Sequence, residues 1–310
     1  MNSRNEPNIQ VSDLDARLAN LRLDDGYALG AEVKGGVVNL TALAAAIGLS
    51  APRDIDDLLQ NRRAPEVRAV LDAIESRGSE VAVTPISEVP FAPLVTRPEK
   101  IICVGFNYRE HAIETNTPVP KAPPLFNKFN NALNSHGGVV HLPTRAARQF
   151  DYETELVIVF GRNCRDVPED DALDVVAGYT IGNDVSAREL QTATSQFLAG
   201  KTSDGFGPVG PWLVPRGMVR DPNALKLQTW VNGTIRQDWN TRDMIFDCRR
   251  LIAYASSVMS IKAGDIMFTG TPQGVILGEK APREERRWLK AGDEVVSSLE
   301  GLGELRVKLM

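Results

Sequence analysis

Three carboxylates lie at the termini of two predicted strands. Glu153 and Glu155 are two residues apart at the start of the apolar run 156–162. Side chains at positions i and i+2 of a strand point to the same face, so these two carboxylates would converge. Asp184 ends a second strand-like run, residues 175–184. Acids placed so closely repel one another unless they share a proton or bind a hard cation.

The ligand atoms of this set indicate which cation it would hold. Glu153, Glu155 and Asp184 offer only oxygen, which suits Mg²⁺, Mn²⁺ or Ca²⁺, and the lack of His and Cys disfavours zinc. The alternative is that the two glutamates line a solvated edge strand, and the spacing alone leaves both interpretations open. The apolar run after Glu155 favours the metal site, because it predicts a strand that enters a core.

A histidine and a glutamate form a candidate proton-transfer pair. His111 and Glu114 have i, i+3 spacing within a predicted short helix, residues 107–116, so they would share one helix face. A neighbouring carboxylate raises the basicity of an imidazole and fixes its tautomer, which would let His111 activate a water. The alternative is a surface pair without function, which is common at this spacing.

Two glycine-rich loops add further candidates. Lys201 follows Gly200 at the start of a Gly- and Pro-rich loop, where it could hold a carboxylate or an oxyanion, or be an ordinary surface lysine. A strand ending in Gly270 and Thr271 would expose backbone N–H groups and a hydroxyl to an anionic group. The same residues could equally form a tight turn.

The elements before residue 95 predict a small N-terminal unit. Strands at 26–33 and 37–40 flank a Lys-Gly-Gly turn, and Asn39 or Thr41 would cap a short helix after them. Residues 64–77 have apolar side chains at helical spacing and stop at a glycine.

A proline-rich segment separates this unit from the rest of the chain. Its four prolines, within residues 84–100, disfavour a helix and favour an extended linker. We therefore expect a small domain at 1–95 and a catalytic domain at 96–310.

The larger region has strand-like runs that do not alternate regularly with helices. Residues 156–162, 175–184, 225–237 and 264–270 predict strands, with an Asn-Gly hairpin turn in the third run, and residues 243–259 predict a helix. This pattern disfavours a doubly wound sheet. It predicts an α+β, mainly β fold with a mixed sheet and a small N-terminal α/β domain.

Composition narrows the class of partner and the compartment. The 310 residues are 43% apolar with a formal net charge of −5, which disfavours nucleic acid and anionic membranes as partners. The N-terminal residues lack the apolar core of a signal peptide, and no apolar stretch is long enough to span a bilayer. The three scattered cysteines make a poor disulfide framework, so we expect a cytoplasmic protein.

Five motifs in order resemble the fumarylacetoacetate hydrolase family, over about residues 100–309. They are VGFNYREHAIE, DYETEL, TIGNDVSARELQ, FLAGKTSDGFGPVGPWLV and GDIMFTGTPQGV. Each motif alone is weak, but their order is specific. The resemblance implies a mixed β-sheet roll, a homodimer, and Mg²⁺ or Mn²⁺ as the usual ion, with Ca²⁺ also conceivable. The segment after the first motif departs from the family pattern, and its His136 and His141 are interpreted as incidental or substrate-contacting.

The resemblance also implies a role for each matching position. The metal ligands would be the three acids. The catalytic residues would be a His–Glu pair on the helix that closes over the site (the lid helix, residues 107–116) and a lysine at the reacting centre. The substrate would be contacted by an arginine, a glutamine and the Gly-Thr turn. The three acids are Glu153, Glu155 and Asp184. The lid-helix pair is His111 and Glu114, and the lysine is Lys201. The arginine and the glutamine are Arg188 and Gln191, and the turn is Gly270 and Thr271.

The predicted reaction is hydrolysis of a C–C bond in a small 2,4-dioxo acid of the acylpyruvate, fumarylpyruvate or diketo-deoxy sugar acid type. The products would be pyruvate, or another 2-oxo acid, and a carboxylic acid. Hydrolysis is preferred because water attack needs a base, which His111 would supply. Oxaloacetate decarboxylation and hydroxymuconate-type isomerisation use the same metal-stabilised enolate and stay open. A non-catalytic metal-binding protein is the remote alternative.

Overall fold

The computed structural model describes residues 9–78 and 81–310. In chain order the strands of these residues are β1 Leu18–Leu23, β2 Gly26–Val33, β3 Gly36–Asn39, β4 Thr84–Pro85, β5 Ile101–Val104, β6 Leu125–Lys128, β7 Leu133–Asn134, β8 Val139–Val140, β9 Phe150–Asp151, β10 Thr154–Phe160, β11 Val176–Asn183, β12 Ser186–Ala187, β13 Gly207–Pro215, β14 Lys226–Val231, β15 Thr234–Asn240, β16 Ile266–Phe268, β17 Glu294–Leu299 and β18 Gly303–Leu309. The α-helices are α1 Leu40–Ala46, α2 Ile55–Gln60, α3 Ala64–Arg77, α4 Arg109–Glu114, α5 Arg188–Gln191, α6 Leu198–Lys201 and α7 Cys248–Val258.

The predicted N-terminal elements form, whereas strand β1 and helix α2 were not predicted. Lys34 and Gly35 make the turn between β2 and β3 with φ of 52° and 79°, the left-handed conformation that a two-residue hairpin turn requires. Asn39 rather than Thr41 caps α1, since its side chain accepts from the Ala42 N–H at 2.9 Å. Helix α3 spans the predicted residues and ends at Gly78.

A mixed sheet carries most of the molecule. Its order is β4-β3-β2-β1-β13-β11-β10-β16-β5-β6, with β7 beside β13, and the pairs β16–β5 and β7–β13 are parallel. A second sheet, β15-β14-β17-β18-β8, packs against it through an apolar core that also takes in one face of α7. The mixed, mainly β architecture that the sequence predicts is thereby confirmed.

The N-terminal strands join the main sheet directly. Leu18 of β1 pairs with Leu213 of β13, so the small unit and the larger region share one sheet. The proline-rich segment contains no α-helix, as predicted, but it is not extended throughout, because Ile86–Glu88 form a 3-10 turn. It packs against the sheet: Phe91 bridges to Leu21, and Leu94 is fully buried. A domain boundary at residue 95 stays a prediction.

The register of β10 and β11 positions the three acids. These strands are antiparallel, with Thr154 opposite Asn183 and Glu155 opposite Gly182. The start of one strand therefore meets the end of the other. The Asp184 N–H donates to the Glu153 carbonyl at 2.8 Å, which holds the two acidic residues side by side.

The predicted helix at 243–259 begins later than expected. Helix α7 starts at Cys248 because the Asp247 side chain caps it, accepting from the Arg250 N–H at 2.8 Å. The backbone of Ile245 bonds instead to the Asn107 carbonyl. Val258 continues the apolar spacing of the helix but is 56% exposed at its end. The Asn-Gly turn between β14 and β15 forms as predicted. Among the described residues, every helix is too short or too polar to cross a membrane.

Candidate metal centre

The carboxylates of Glu153, Glu155 and Asp184 meet in one buried cluster. Each contributes an oxygen, and these oxygens all lie within 4.8 Å of one another. Glu153 directly precedes β10, Glu155 is the second residue of that strand, and Asp184 directly follows β11. The alternative of a solvated edge strand is excluded, because both glutamates are buried and β10 lies between β11 and β16.

The surrounding charges compensate these acids unequally. Lys201 Nζ lies 2.6 Å from Glu153 Oε2, and Arg188 Nη1 lies 2.8 Å from Glu153 Oε1. Burial opposes the ionisation of Glu153, but the charges of Lys201 and Arg188 outweigh it and lower its pKa to about 2. Glu153 is therefore ionised.

Glu155 lacks such a partner. Within the described chain no basic side chain lies within 4.0 Å of it, and its Oε2 accepts from the Gly270 N–H at 2.6 Å. Burial raises the pKa of Glu155 well above its usual range, and the nearby charges of Asp184 and Glu153 raise it further. A buried acid without a protein cation, among oxygen ligands only, fits a hard divalent cation such as Mg²⁺ or Mn²⁺.

Two lysines flank Asp184. Lys201 Nζ lies 3.0 Å from its Oδ2, and Lys128 Nζ lies 2.5 Å from its Oδ1. Lys128 also donates to the Phe206 carbonyl at 3.0 Å and to the Lys201 carbonyl, so its position is fixed from three directions. Lys201 was predicted as a site residue and lies in the cluster. Lys128 was missed, since a lysine at a strand end resembles any surface lysine.

Arg188 is held between two acids. Its Nε and Nη2 lie 2.9 and 2.8 Å from Asp151 Oδ2, and its Nη1 donates to Gln191 Oε1 at 2.8 Å as well as contacting Glu153. Asp151 additionally accepts from the Ile276 N–H at 2.9 Å. Asp151 was not predicted as a site residue, although its position two residues before Glu153 continues the i, i+2 spacing of the acids. These contacts fix the orientation of the Glu153 carboxylate.

The His111–Glu114 pair lies inside the protein. His111 Nδ1 is 2.9 Å from Glu114 Oε1, and Glu114 also accepts from the Gly274 N–H at 3.0 Å. Because an ionised carboxylate only accepts, Nδ1 carries a hydrogen and Nε2 is left as the proton acceptor. His111 is 4% exposed and stacks near Phe106, which excludes the alternative of a surface pair.

One cavity of about 340 Å³ connects these groups. It is lined by the two glutamates of the cluster, by His111 and Glu114 of helix α4, and by Arg188, Gln191, Lys201 and Thr271. Three phenylalanines add apolar walls: Phe106, Phe126 and Phe197. Such a cavity suits a small, polar ligand.

The two residues of the Gly-Thr turn, both expected to contact the substrate, make different contacts in the structure. The Gly270 N–H is engaged by Glu155, and its φ of +97° explains why glycine stands there. Thr271 lines the cavity, and its hydroxyl donates to the Thr154 carbonyl at 2.9 Å. His136 and His141 lie elsewhere: His136 bonds the Glu304 carbonyl at 3.0 Å, and His141 is exposed.

Comparisons with known proteins find relatives that cover nearly the whole chain. Residues 100–310 match the family model described as the C-terminal domain of fumarylacetoacetate hydrolase. Human oxaloacetate tautomerase FAHD2A, mitochondrial, is 39% identical over 295 residues, which cover 93% of this chain and 90% of that protein.

Solved structures extend the comparison. Maleylpyruvate hydrolase from Sphingobium sp. SYK-6, in complex with manganese(II) and pyruvate, superimposes with a TM-score of 0.75 at 32% identity, over 95% of this chain and 98% of that one. The 2-hydroxyhepta-2,4-diene-1,7-dioate isomerase from Mycobacterium marinum gives a TM-score of 0.70 at 30% identity, over 96% and 98% of the two chains. The names of these relatives state three different reactions.

Proposed function

The chain belongs to the fumarylacetoacetate hydrolase family, whose named relatives are enzymes, and we propose that it is a divalent-cation-dependent enzyme acting on the enol form of a small 2-oxo acid. The observation that carries the proposal is the position of His111. Its ring, held by Glu114, lines the same cavity as Glu153 and Glu155.

Glu153, Glu155 and Asp184 are the proposed metal ligands, with Mg²⁺ or Mn²⁺ as the ion. When bound, that ion would act as a Lewis acid on the carboxylate and 2-oxo group of the substrate and favour its enolate, an effect of several kcal/mol. The manganese in the Sphingobium relative supports this assignment.

The protein's own residues would handle the proton and the charge. His111 Nε2 exchanges a proton with C3 of the substrate, while Glu114 stabilises the imidazolium that results. The Lys201 ammonium supplies positive charge beside the developing oxyanion. Phe106 and Phe197, whose rings pack edge to face with their centroids 6.0 Å apart, would restrict the access of water to the cavity near helix α4.

Tautomerisation of a 2-oxo acid between enol and keto forms is the reaction we place first. It needs only the bound cation and a proton carrier, both of which the cavity provides for. The full-length relative at 39% identity, named as an oxaloacetate tautomerase, supports this choice.

Hydrolysis of a C–C bond in a 2,4-dioxo acid is the second candidate. The His111–Glu114 pair could direct a water to the 4-oxo carbon, and the Sphingobium hydrolase with bound pyruvate supports that use. The products would be pyruvate and a carboxylic acid. Decarboxylation of oxaloacetate and isomerisation of a hydroxymuconate-type diacid use the same enolate without water. A homodimer and a cytoplasmic location stay predictions.

A parallel assay tests the proposal. The full chain, stripped of metal and reloaded with Mn²⁺, is given oxaloacetate enol and, separately, acetylpyruvate. Faster loss of the enol than in Mn²⁺ buffer, without release of pyruvate, supports tautomerisation. Pyruvate and acetate from acetylpyruvate support hydrolysis. Turnover of neither compound, nor of a hydroxymuconate-type diacid, would overturn the proposal.

A further inference from the structure

Two arginines in the cavity lack a carboxylate partner. Arg283 and Arg286 both line it and are partly buried. Within the described residues no Asp or Glu oxygen lies within 4.0 Å of either guanidinium. The other basic groups of the site are each paired with an acid: Lys128 with Asp184, Lys201 and Arg188 with Glu153.

The arginines are nevertheless held in place. Arg286 donates from Nε to the Ala281 carbonyl at 2.9 Å and from Nη1 to the Leu277 carbonyl at 2.5 Å. Arg283 donates from Nε to Gln149 Oε1 at 2.5 Å. In the described part of the chain, both Nη groups of Arg283 and Nη2 of Arg286 have no acceptor. These donors remain for a ligand.

We infer that Arg283 and Arg286 form a subsite that binds the second carboxylate of a dicarboxylic 2-oxo acid and makes the enzyme prefer such an acid over a monocarboxylic one. The inference rests on the proposed function, which assigns the first carboxylate and the 2-oxo group to the cluster of acids. A guanidinium binds a carboxylate through parallel, charge-assisted hydrogen bonds. A second carboxylate would also neutralise cations that are partly desolvated and unpaired in the protein.

The charge of the site agrees with this assignment. Glu153, Glu155, Asp184, Asp151 and Glu114 oppose Lys201, Lys128 and Arg188, which leaves two uncompensated negative charges. A divalent cation would neutralise these two charges. Arg283 and Arg286 then add two positive charges to the cavity, which the two carboxylates of a diacid would balance.

Arg287 provides a matched control. It follows Arg286 in the chain and carries the same charge, but it is exposed and does not line the cavity. Substituting it removes the same charge from the same segment. An effect of Arg283 or Arg286 that Arg287 does not share therefore reports on contact with the ligand.

A pair of ligands of equal chain length tests the inference. 2-Oxoglutarate and 2-oxovalerate differ in having a carboxylate or a methyl group at the far end. Calorimetry would measure the binding of each to the Mn²⁺-loaded wild type, to Arg283→Gln, Arg286→Gln and the double variant, and to Arg287→Gln. Thermal unfolding of each variant would check that it folds.

We expect the wild type to bind the diacid at least about tenfold more tightly, since charge-assisted hydrogen bonds are roughly twice as strong as neutral ones. The double variant should lose this preference and bind the monoacid as before, and Arg287→Gln should keep the preference. Equal binding of the two acids by the wild type, or a preference that survives in the double variant, overturns the inference alone. Failure of the wild type to bind either acid overturns both the inference and the proposed function.

Discussion

The ammonium of Lys128 lies 2.5 Å from Oδ1 of Asp184, and both side chains are wholly buried. A buried ion pair adds little net stability, but removal of one partner leaves the other charge uncompensated at a cost of several kcal/mol. Lys128 stands at the end of β6, the last strand of the main sheet, so this pair connects the sheet edge to the cluster of three acids.

Lys128→Met should lower the free energy of unfolding of the metal-free protein by about 3 kcal/mol, because it removes the cation beside Asp184 Oδ1 and leaves only Lys201 beside Oδ2. Urea denaturation measures this. Adding Asp184→Asn to the variant should restore a large part of the loss, since the unpaired charge is then gone. Equal stability of wild type and Lys128→Met would show that the pair has no such role.

Glu155→Gln should have the opposite effect on the metal-free protein. Burial and two neighbouring acids oppose the charge of Glu155, so removing that charge should raise the free energy of unfolding. Glu153→Gln is the matched comparison, because Glu153 is paired with Lys201 and Arg188, and it should destabilise. The same sign for both variants would refute the proposed charge imbalance.

His111→Ala should lower kcat by on the order of 10²–10⁴-fold, the usual contribution of a general base. Mn²⁺ affinity should stay within about twofold, since His111 is not among the proposed ligands and its loss leaves all three carboxylates in place. Steady-state kinetics and a metal titration on one preparation check both. Full turnover without the imidazole would remove His111 from the mechanism.

Gly278→Ala should disturb the proton-transfer pair without touching the ligands. A Cβ at this position would collide with the Glu114 carboxylate, which is held by His111 and by the Gly274 N–H. We expect kcat to fall about ten- to a hundredfold, the effect of an ångström-scale displacement. In a Glu114→Ala background the same substitution should have little further effect, because the collision is relieved. Additive losses would contradict the assignment.

The sequence was most informative where the pattern is local. Strand periodicity and the apolar run after Glu155 predicted converging carboxylates, and the Asn-Gly and Lys-Gly pairs predicted hairpin turns that form. Helix α7 shows the limit of periodicity, because Ile245 continues the apolar spacing while the cap at Asp247 sets the actual start.

The sequence pattern did not predict which strands that are distant in the chain pair with one another. Lys128 reaches Asp184 only because β6 pairs with β5, and β5 with β16. Asp151 meets Arg188 through the return of the chain after β11. Likewise, the pairing of Leu18 with Leu213 joins the N-terminal strands to a sheet that the proline-rich segment seemed to separate from them.

Titration of Mn²⁺ into the metal-stripped protein, with free ion followed by electron paramagnetic resonance, determines whether the three carboxylates bind the cation. We predict one tight site per chain in the wild type and loss of that site in both Glu155→Gln and Asp184→Asn, with the fold of each variant intact by circular dichroism. Tight binding that survives in both variants would show that Glu153, Glu155 and Asp184 do not hold the cation.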